Sequence, residues 1–391
     1  MKFDLIIVGG GLTGAALAVA LRASRLSVAL VDSAIPAKGP VKTPGWDTRI
    51  YAYTPASARF LQTLGIWDRL DHARLCAVER MHIHGDAGGR LDFAAPDGGF
   101  SELAWIGEAD LLLCELWESL IRQHNVTVFA PAAPAKLARG GDAMEVTLEN
   151  GQTLAASLVV GADGRDSWVR QSAGIPARVR AYGQQAVVAN FRASRPHGQT
   201  AHQWFREDGV LAWLPLPGER ISLVWSAPDE TAAALMALAD DDFCRRAAEA
   251  GGSLLGDFAL ETPRAAFALR FMRVDSVVAP RIALAGDAAH AIHPLSGHGI
   301  NLGFQDVRVL AELLAGTGEW QDIGEYGLLR RYARARAEEP FMLQYTTDGL
   351  ARLFACRNPL AAKLRNAGLN LTARLPPLAK ALARYAASGN I

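Results

Sequence analysis

The chain has 391 residues, of which half are hydrophobic and a fifth are charged, and its formal net charge is +0. This length and composition predict a globular protein of two closely packed domains and exclude a disordered or fibrous chain. The balanced charge excludes an overall field that would attract nucleic acid.

Cysteine spacing and hydropathy bear on metal sites, disulfides and membrane spans. Cys76, Cys114, Cys244 and Cys356 lie far apart, so the sequence predicts neither a zinc site nor a disulfide framework. No stretch reaches the roughly 18 uninterrupted apolar residues of a membrane span. We expect a cytoplasmic protein, with a peripheral position at the inner face of the membrane as the alternative.

The first predicted element is a βαβ unit. Residues 3–8 form a branched, apolar strand that is followed by Gly9-Gly10-Gly11-Leu12-Thr13-Gly14 and by a helix of small residues at 15–21. The second strand, residues 27–31, ends at Asp32. In such a unit the first glycine makes a tight turn, the second admits a pyrophosphate and the third lets helix and strand pack closely, while the acid binds a ribose. The pattern predicts a dinucleotide site and leaves NAD and FAD open.

The next segments predict further elements of the same domain. A helix is predicted at 55–64, an amphipathic helix at 110–123, and strands at 126–128, 145–148 and 154–160. Arg49 can pair with a phosphate or lie at the surface, and the sequence does not decide between the two. After the last strand, Asp163 in Gly161-Ala-Asp-Gly either reaches a cofactor oxygen or caps the following helix.

The pattern changes from about residue 182 to about residue 267. Extended segments at 186–191, 202–205, 211–216 and 221–225 precede a single helical pattern at 240–250. Several strands with few helices predict one antiparallel sheet, with one face packed and the other free to roof a pocket.

A glycine-rich stretch then follows an apolar strand predicted at 281–285. The strand stops at Gly286 and Asp287, and a helix is predicted to begin at about Gly299. Gly297, Gly299 and Gly303 let the backbone approach a flat or charged group, at which the first N–H groups of the helix would point.

Three motifs now stand in order: the first glycine-rich segment with Asp32, Gly161-Ala-Asp-Gly, and Gly286-Asp-Ala-Ala-His with Pro294. Together they resemble the GxGxxG, DG and GD motifs of the single-component (class A) FAD-dependent aromatic hydroxylases. Within that group, residues 213–226 and 279–294 are similar to segments of the ubiquinone-biosynthesis hydroxylases. The resemblance runs nearly the whole length of the chain.

The resemblance implies an α/β fold of the para-hydroxybenzoate-hydroxylase type. A Rossmann-like FAD-binding domain would comprise residues 1–75, 100–180 and 270–340. An inserted substrate domain with an antiparallel sheet would comprise 76–99 and 181–269, and a helical segment would occupy 341–391.

The resemblance also implies the cofactor and its contacts. FAD would be the cofactor, with NAD(P)H or another external reductant and O2 as co-substrates. Gly9, Gly11, Gly14 and Asp32 would hold the ADP half, Asp287 the ribityl or pyrophosphate region, and Asp163 would lie near the flavin and the nicotinamide path. The N–H groups of Gly299, Ile300 and Asn301 would face the pyrimidine edge of the isoalloxazine. The whole predicted cofactor-binding set is Gly9, Gly11, Leu12, Thr13, Gly14, Asp32, Arg49, Asp163, Gly286, Asp287, Pro294, Gly297, Gly299, Ile300 and Asn301. No metal site is predicted.

The function implied is that of an oxidoreductase and flavoprotein monooxygenase. It would hydroxylate the aromatic ring of a polyprenylated quinone precursor through a flavin C4a-hydroperoxide. His298, in a position where relatives commonly carry Gln, is the candidate catalytic residue, unless its role is structural.

Two different functions are compatible with the same motifs. The first is a flavin hydroxylase or oxidase that acts on another aromatic substrate. The second is a non-catalytic flavoprotein subunit of a quinone-biosynthesis assembly. Asp110, in a place where relatives usually carry Arg, is the reason to consider a non-catalytic subunit.

The C-terminal segment carries an uneven charge. Residues 349–391 include seven basic residues and no acidic ones. Their helical patterns are broken at Pro359 and at Pro376-Pro377. We favour packing of these helices on the flavin domain over a peripheral surface for anionic lipid or for a biosynthetic complex.

Overall fold

The computed structural model describes residues 1–36, 45–293, 295, 297–356, 358–375, 380–381 and 384. Its strands, in chain order, are β1 (Lys2–Val8), β2 (Val28–Val31), β3 (Ile50–Tyr53), β4 (Cys76–Val78), β5 (Arg80–His84), β6 (Arg90–Ala94), β7 (Ala104–Glu108), β8 (Val126–Phe129), β9 (Pro134–Gly140), β10 (Ala143–Leu148), β11 (Thr153–Gly161), β12 (Ala177–Ala193), β13 (Thr200–Arg206), β14 (Gly209–Leu216), β15 (Arg220–Pro228), β16 (Phe258–Leu260), β17 (Ala265–Val274), β18 (Val278–Ala279), β19 (Ile282–Leu284) and β20 (His290–Ala291). Its α-helices are α1 (Leu12–Ala20), α2 (Pro55–Thr63), α3 (Ala95–Gly98), α4 (Ala109–Leu120), α5 (Trp168–Ser172), α6 (Asp229–Ala237), α7 (Asp240–Ala250), α8 (Gly299–Ala315), α9 (Tyr326–Ala335), α10 (Glu338–Ala355) and α11 (Pro359–Arg374).

A parallel sheet forms the centre of the first unit. Its strands lie in the order β19-β11-β1-β2-β8, and each neighbouring pair is parallel. β1 and β2 are continuous apolar runs because both faces of a parallel sheet are covered. Helices α1, α4 and α8 contribute to the hydrophobic core on one face. The predicted Rossmann-like unit is confirmed.

A second sheet contains most of the strands between residues 177 and 274. Its order is β20-β17-β12-β15-β14-β13-β5-β6. The predicted antiparallel pairing is observed for β12, β14, β15 and β17, but β13 pairs with β5 in parallel, so the sheet is mixed. The helix predicted at 240–250 is α7, which packs with α6 in a core that contains Trp213 and Trp225.

The opposite face of this sheet meets a small third sheet of β3, β7 and β4. The apolar cluster between them includes Phe93, Ile106 and Leu216, with Ile50 and Ala52 of β3 packed against it. This apolar cluster therefore lies between the second and the third sheets.

Two long strands join the units. β12 crosses the predicted domain boundary at 180/181, and β17 crosses the one at 269/270. The two strands pair with each other on both sides of a register shift between Ala181 and Gln185. The division into domains stays a prediction, since both strands extend through the boundaries assigned to it.

The C-terminal helices contact the second sheet. Gln344 of α10 donates to the carbonyl oxygens of Met272 and Ala291 at 2.8 and 3.2 Å, and α11 packs against β6. Our expectation that these helices pack on the flavin domain holds for α10, because Met272 and Ala291 lie in the range 270–340 assigned to that domain and share a core cluster with Ile6 and Val8 of β1. It is wrong for α11, which a buried ion pair between Arg365 and Asp86 fixes to the connection between β5 and β6. No helix of the described residues has the length and apolar character needed to cross a bilayer.

Candidate cofactor site

The carboxyl ends of the central parallel strands form one edge of the first unit. β1 leads to Gly9, β2 to Asp32, β11 to Ala162 and Asp163, and β19 to Gly286. Ligands of open α/β sheets bind outside these strand ends. The fold therefore brings three segments that are far apart in sequence to one edge.

The first two motifs are in direct contact. Gly9 has a φ of 103°, and a side chain there would overlap the carbonyl of Ala162. A side chain at Gly14 would overlap the carbonyl oxygen of Gly9, so the start of α1 can lie against β1 only with glycine at both positions.

The third motif meets α1 through Thr13. A Cβ built on Gly286 would lie 2.7 Å from the Thr13 hydroxyl oxygen, and one built on Gly303 would lie 2.9 Å from it. Gly286 has a φ of 61°, which favours glycine in any case. The predicted convergence of the first and third motifs is present, and the neighbouring Leu12 is half-buried beside the core.

The N-terminus of α1 is open on its outer side. A Cβ on Gly11, the N-cap of α1, would meet nothing within 4 Å. Asp32 stands beside this opening and accepts hydrogen bonds from the N–H of Gly10 at 2.5 Å and of Ala34 at 2.8 Å. Each carboxylate oxygen keeps a second lone pair for a ribose hydroxyl. The arrangement suits a pyrophosphate at Gly11 and a ribose at Asp32.

Trp117 supports the same turn and was missed by sequence reasoning. Its indole N–H donates to the carbonyl oxygen of Gly10 at 2.7 Å. A Cβ on Gly10 would lie 2.6 Å from the Trp117 ring. Gly9 and Gly10 are therefore sterically constrained, whereas Gly11 faces open space. The sequence carries no signal for this contact, because Trp117 lies in a helix predicted only from its amphipathic pattern.

The surroundings of Asp287 indicate that its carboxylate lies in a cleft. Its side chain is accessible to solvent, yet protein surrounds it closely enough that burial raises the pKa of the carboxyl, against the positive charges of His290 and Arg165. Both observations hold for a carboxylate that lines a deep, open cavity. Its negative charge and burial also raise the pKa of Tyr51, with burial the larger cause.

Two arginines flank this cleft. The positive charges of Arg49 and Arg165 both act on Tyr51 and oppose the rise in its pKa. Arg49 was predicted as a cofactor contact, and it is exposed next to β3. Arg165, which follows the second motif and donates to the carbonyl oxygen of Ala268 at 2.9 Å, was missed, as was Tyr51. Cationic side chains near Tyr51 and Asp287 suit an anionic ligand.

A buried ionic network holds the third motif from behind. Asp306, which is 1% exposed, accepts hydrogen bonds from the N–H of Gly286 at 2.9 Å, from His290 Nε2 at 2.7 Å and from Arg336 Nε at 2.7 Å. Burial favours the neutral acid, but His290 and Arg336 outweigh burial and lower the pKa of Asp306. Burial likewise opposes the charge on His290, and Asp306 outweighs it and raises the pKa of that imidazole. The network fixes the turn that carries Asp287.

The N-terminus of α8 begins at Gly299, as predicted. The first intrahelical bond found runs from the N–H of Leu302 to His298, so the N–H groups of Gly299, Ile300 and Asn301 precede the hydrogen-bonded ladder. The Asn301 side chain donates to the carbonyl oxygen of Ala52 at 2.8 Å and accepts from the N–H of Thr54 at 3.0 Å. It therefore ties α8 to β3, while its backbone remains at the helix end.

The remaining predicted residues lie around this helix end. His298 is half-buried at the N-cap of α8, and Gly297 contacts Ala52. Asp163 Oδ2 caps α5 by accepting from the N–H of Val169 at 3.0 Å, while Oδ1 is buried and has no hydrogen-bond partner among the described residues. Pro294 lies outside the described residues. The capping role foreseen for Asp163 is present, and its second oxygen stays available to a ligand.

These features fit FAD. Open space at Gly11, a carboxylate beside it, a deep cleft, the orphaned oxygen of Asp163 and a helix N-terminus are the groups that a pyrophosphate, a ribose and an anionic ring require. Among the described residues, no group of three His, Cys, Asp or Glu side chains is placed to hold a metal ion.

Comparisons with known proteins agree with this geometry. Residues 2–340 match the family model described as FAD binding domain. The chain is 36% identical to the ubiquinone hydroxylase UbiL of Rhodospirillum rubrum, over 98% of this chain and 89% of the relative. It is 32% identical to the 3-demethoxyubiquinol 3-hydroxylase of Escherichia coli, over 98% of both chains.

Solved structures show the same fold at lower identity. The p-nitrophenol 4-monooxygenase PnpA of Pseudomonas putida aligns with a TM-score of 0.78 at 19% identity, covering 100% of this chain and 99% of that one. PqsL of Pseudomonas aeruginosa, in complex with 2-aminobenzoylacetate, aligns with a TM-score of 0.76 at 22% identity, covering 94% and 99%.

Proposed function

The chain belongs to the FAD binding domain family, among the ubiquinone-biosynthesis hydroxylases, and on that premise we propose that it hydroxylates the aromatic ring of a polyprenylated quinone precursor. The observation that carries the proposal is the meeting of the three motifs at one open cleft beside the apolar cluster of the second sheet. The protein is an FAD-dependent aromatic monooxygenase. When bound, FAD supplies the activation of O2 with electrons from an external reductant.

Residues at the sheet edge would hold the ADP half of the cofactor. We assign the pyrophosphate to the N-terminus of α1 at Gly11, Leu12 and Thr13, where the helix dipole favours an anion. Asp32 would bind the ribose hydroxyls. Arg49 would add positive charge at the cleft, and Asp287 with Gly286 would bind the ribityl or pyrophosphate region.

The N-terminus of α8 would stabilise charge at the reacting end. The N–H groups of Gly299, Ile300 and Asn301 are assigned to the pyrimidine edge of the isoalloxazine, where negative charge gathers on reduction. Gly297, two residues before the helix, is assigned to the same site, and Pro294 stays a predicted contact. His298, at the N-cap, is the residue assigned to move the proton of the substrate phenol.

The apolar cluster of the second sheet adjoins this helix end. Asn301 bonds to the carbonyl of Ala52, and Ala52 itself packs against the cluster that includes Phe93 and Leu216. An aromatic ring placed there would lie next to the flavin edge and away from water. Apolar walls suit a substrate with a hydrophobic tail, and exclusion of water protects the oxygen chemistry.

Asp110 has a structural explanation that does not require loss of catalysis. It lies in the first turn of α4, where negative charge is favourable, and its N–H donates to Asp47 at 3.2 Å.

Product analysis tests the proposal. Purified, FAD-loaded protein is supplied with NAD(P)H, or with ferredoxin and its reductase, and with quinone precursors that each lack one ring hydroxyl. We expect precursor-stimulated O2 uptake and a product one oxygen heavier by mass spectrometry. Protein that is reduced but never forms such a product refutes it, and hydroxylation of an unrelated phenol instead supports a different aromatic substrate.

Genetic complementation separates an enzyme from a non-catalytic subunit. The gene is introduced into strains that are each blocked at one ring hydroxylation, and the intermediate that disappears identifies the ring position. Asp287→Ala should weaken complementation together with flavin binding. A variant that has lost flavin but still complements contradicts the catalytic proposal.

A further inference from the structure

Helix α11 is fixed to the second sheet by its inner face. Arg365 forms a buried ion pair with Asp86, in the connection between β5 and β6. Asn366 Oδ1 accepts from the N–H groups of Ala87 and Gly89 at 3.1 and 2.8 Å. These bonds satisfy buried polar groups and set which side of α11 faces outward.

The outer face of α11 carries an exposed leucine stripe, formed by Leu360, Leu364 and Leu371. The exposed fractions of these side chains are 65%, 65% and 59%. At about 100° per residue, the three leucines fall within an arc of about 40° on the helix. Single exposed leucines are ordinary, but three in line on a helix whose other face is already bound form an unpartnered apolar surface.

Positive charge accompanies the leucine stripe. Lys363 and Arg374 are exposed on α11, to one side of the leucines. Residues 349–391 contain seven basic and no acidic residues. Of these, Arg365 is paired with Asp86 and Arg352 with Asp348, so the charge beside the stripe is that of Lys363 and Arg374. An apolar stripe bordered by basic side chains is the pattern of a helix that lies in the interface of an anionic bilayer.

The preceding helix, α10, likewise has a face that is buried against the sheet and a face with exposed apolar side chains. Phe341, Met342 and Tyr345 of α10 are exposed, whereas Gln344 and Thr347 are buried against the sheet. Of these three, Tyr345 is an aromatic ring with a polar hydroxyl, a type of side chain favoured at the boundary between lipid and water.

We propose that the leucine stripe of α11 docks on a bilayer that contains anionic lipid. Docking of a second copy through the same stripe would bring Lys363 and Arg374 of both chains together, which like-charge repulsion opposes. The proposal rests on the proposed function in one respect: a polyprenylated precursor resides in the bilayer, and α11 is attached to the sheet assigned to cover the substrate.

Vesicle binding of the full, FAD-loaded chain tests the surface. Co-sedimentation is measured with vesicles of phosphatidylcholine alone and with vesicles of equal parts phosphatidylcholine and phosphatidylglycerol. We expect binding to the mixed vesicles that weakens with salt. Leu360→Gln/Leu364→Gln/Leu371→Gln should weaken binding about tenfold or more. Lys363→Gln/Arg374→Gln should weaken it about fivefold per charge on mixed vesicles only.

The matched control is Ile121→Gln/Leu254→Gln/Trp320→Gln, which removes three exposed apolar side chains outside the C-terminal helices. It should bind vesicles as the unaltered chain does. The proposal is overturned if the unaltered chain does not bind mixed vesicles, if the leucine variant binds equally well, or if the control loses as much binding. Binding that ignores phosphatidylglycerol overturns the role of charge.

A second measurement separates this proposal from the proposed function. Hydroxylation of a precursor with a short, water-soluble side chain is assayed without vesicles, where the leucine variant should match the unaltered chain. If the unaltered chain hydroxylates this precursor but does not bind vesicles, the proposed membrane-docking surface is overturned and the proposed function stands. The same holds if α11 binds an acidic protein instead of vesicles. If the chain binds vesicles but hydroxylates no precursor, the proposed function is overturned and the membrane-docking surface stands.

Discussion

Asp306→Asn tests whether the buried network controls the cofactor site. Asn keeps the shape of the side chain but removes its charge, so the Gly286 N–H, His290 and Arg336 lose a common anionic acceptor. Removing one partner of a buried ion pair costs about 3 to 5 kcal/mol. Because Arg336 keeps its ion pair with Glu339, we expect the lower end, about 3 kcal/mol, out of a total stability of about 5 to 15 kcal/mol.

The same substitution should weaken FAD binding. A hydrogen bond to a charged group contributes about 1.5 to 3 kcal/mol, so a Gly286 turn without its carboxylate should bind FAD about 10- to 100-fold less tightly. Urea unfolding of the FAD-free protein at neutral pH measures the first effect, and quenching of flavin fluorescence measures the second.

Glu312→Gln is the matched control for the loss of one carboxylate. Glu312 pairs with Arg308 at 3.1 Å and is 64% exposed, so its removal should cost about 0.5 kcal/mol or less and leave FAD binding unchanged. An Asp306→Asn protein within about 1 kcal/mol of the unaltered chain, with equal FAD affinity, would refute the reasoning.

Three further predictions concern the same site. Gly11→Ala should leave stability unchanged, because the new methyl group enters only open space, but it should weaken FAD binding about tenfold or more, because that space is assigned to the pyrophosphate. Gly14→Ala should instead unfold the protein or displace α1. Urea unfolding together with flavin titration distinguishes the two variants. Asp287→Ala should weaken FAD binding without lowering the melting temperature of the FAD-free protein, since burial already disfavours that charge, and a lower melting temperature would contradict this. The raised pKa of His290 stabilises the fold fully below about pH 6.5, and this contribution is lost as pH rises through the raised value, so unfolding at a series of pH values should show a decline that His290→Gln lacks.

Local spacing made the first unit predictable. Gly9, Gly11, Gly14 and Asp32 lie within one strand-helix-strand unit, so their geometry follows from neighbouring residues, and the structure has the strand, helix and acid in the expected places. The start of α8 at Gly299 was predictable for the same reason, because glycines and an apolar pattern mark a helix boundary.

Contacts between distant residues were not predictable. Asp306 lies in the helix predicted to begin at about Gly299, but its partner Arg336 lies in the turn after α9, and no spacing rule connects the two. The parallel pairing of β5 with β13 joins residues about 120 positions apart, which alternation of apolar residues cannot specify. The docking of α11 depended on Asp86, a single acid in a turn, and so it escaped an argument based on net charge.

The contact of Thr13 with Gly286 and Gly303 has a consequence for synthesis of the protein. The N-terminal glycine segment emerges from the ribosome first. The residues that pack against Thr13, which belong to the third motif and to α8, are synthesised much later. At about 5 to 20 residues per second, the interval between Gly11 and Asn301 is about 15 to 60 s. Throughout that time the nascent chain lacks the complete cleft, so we expect stable flavin binding only after both ends have been translated, and we expect chains truncated before residue 301 to lose it.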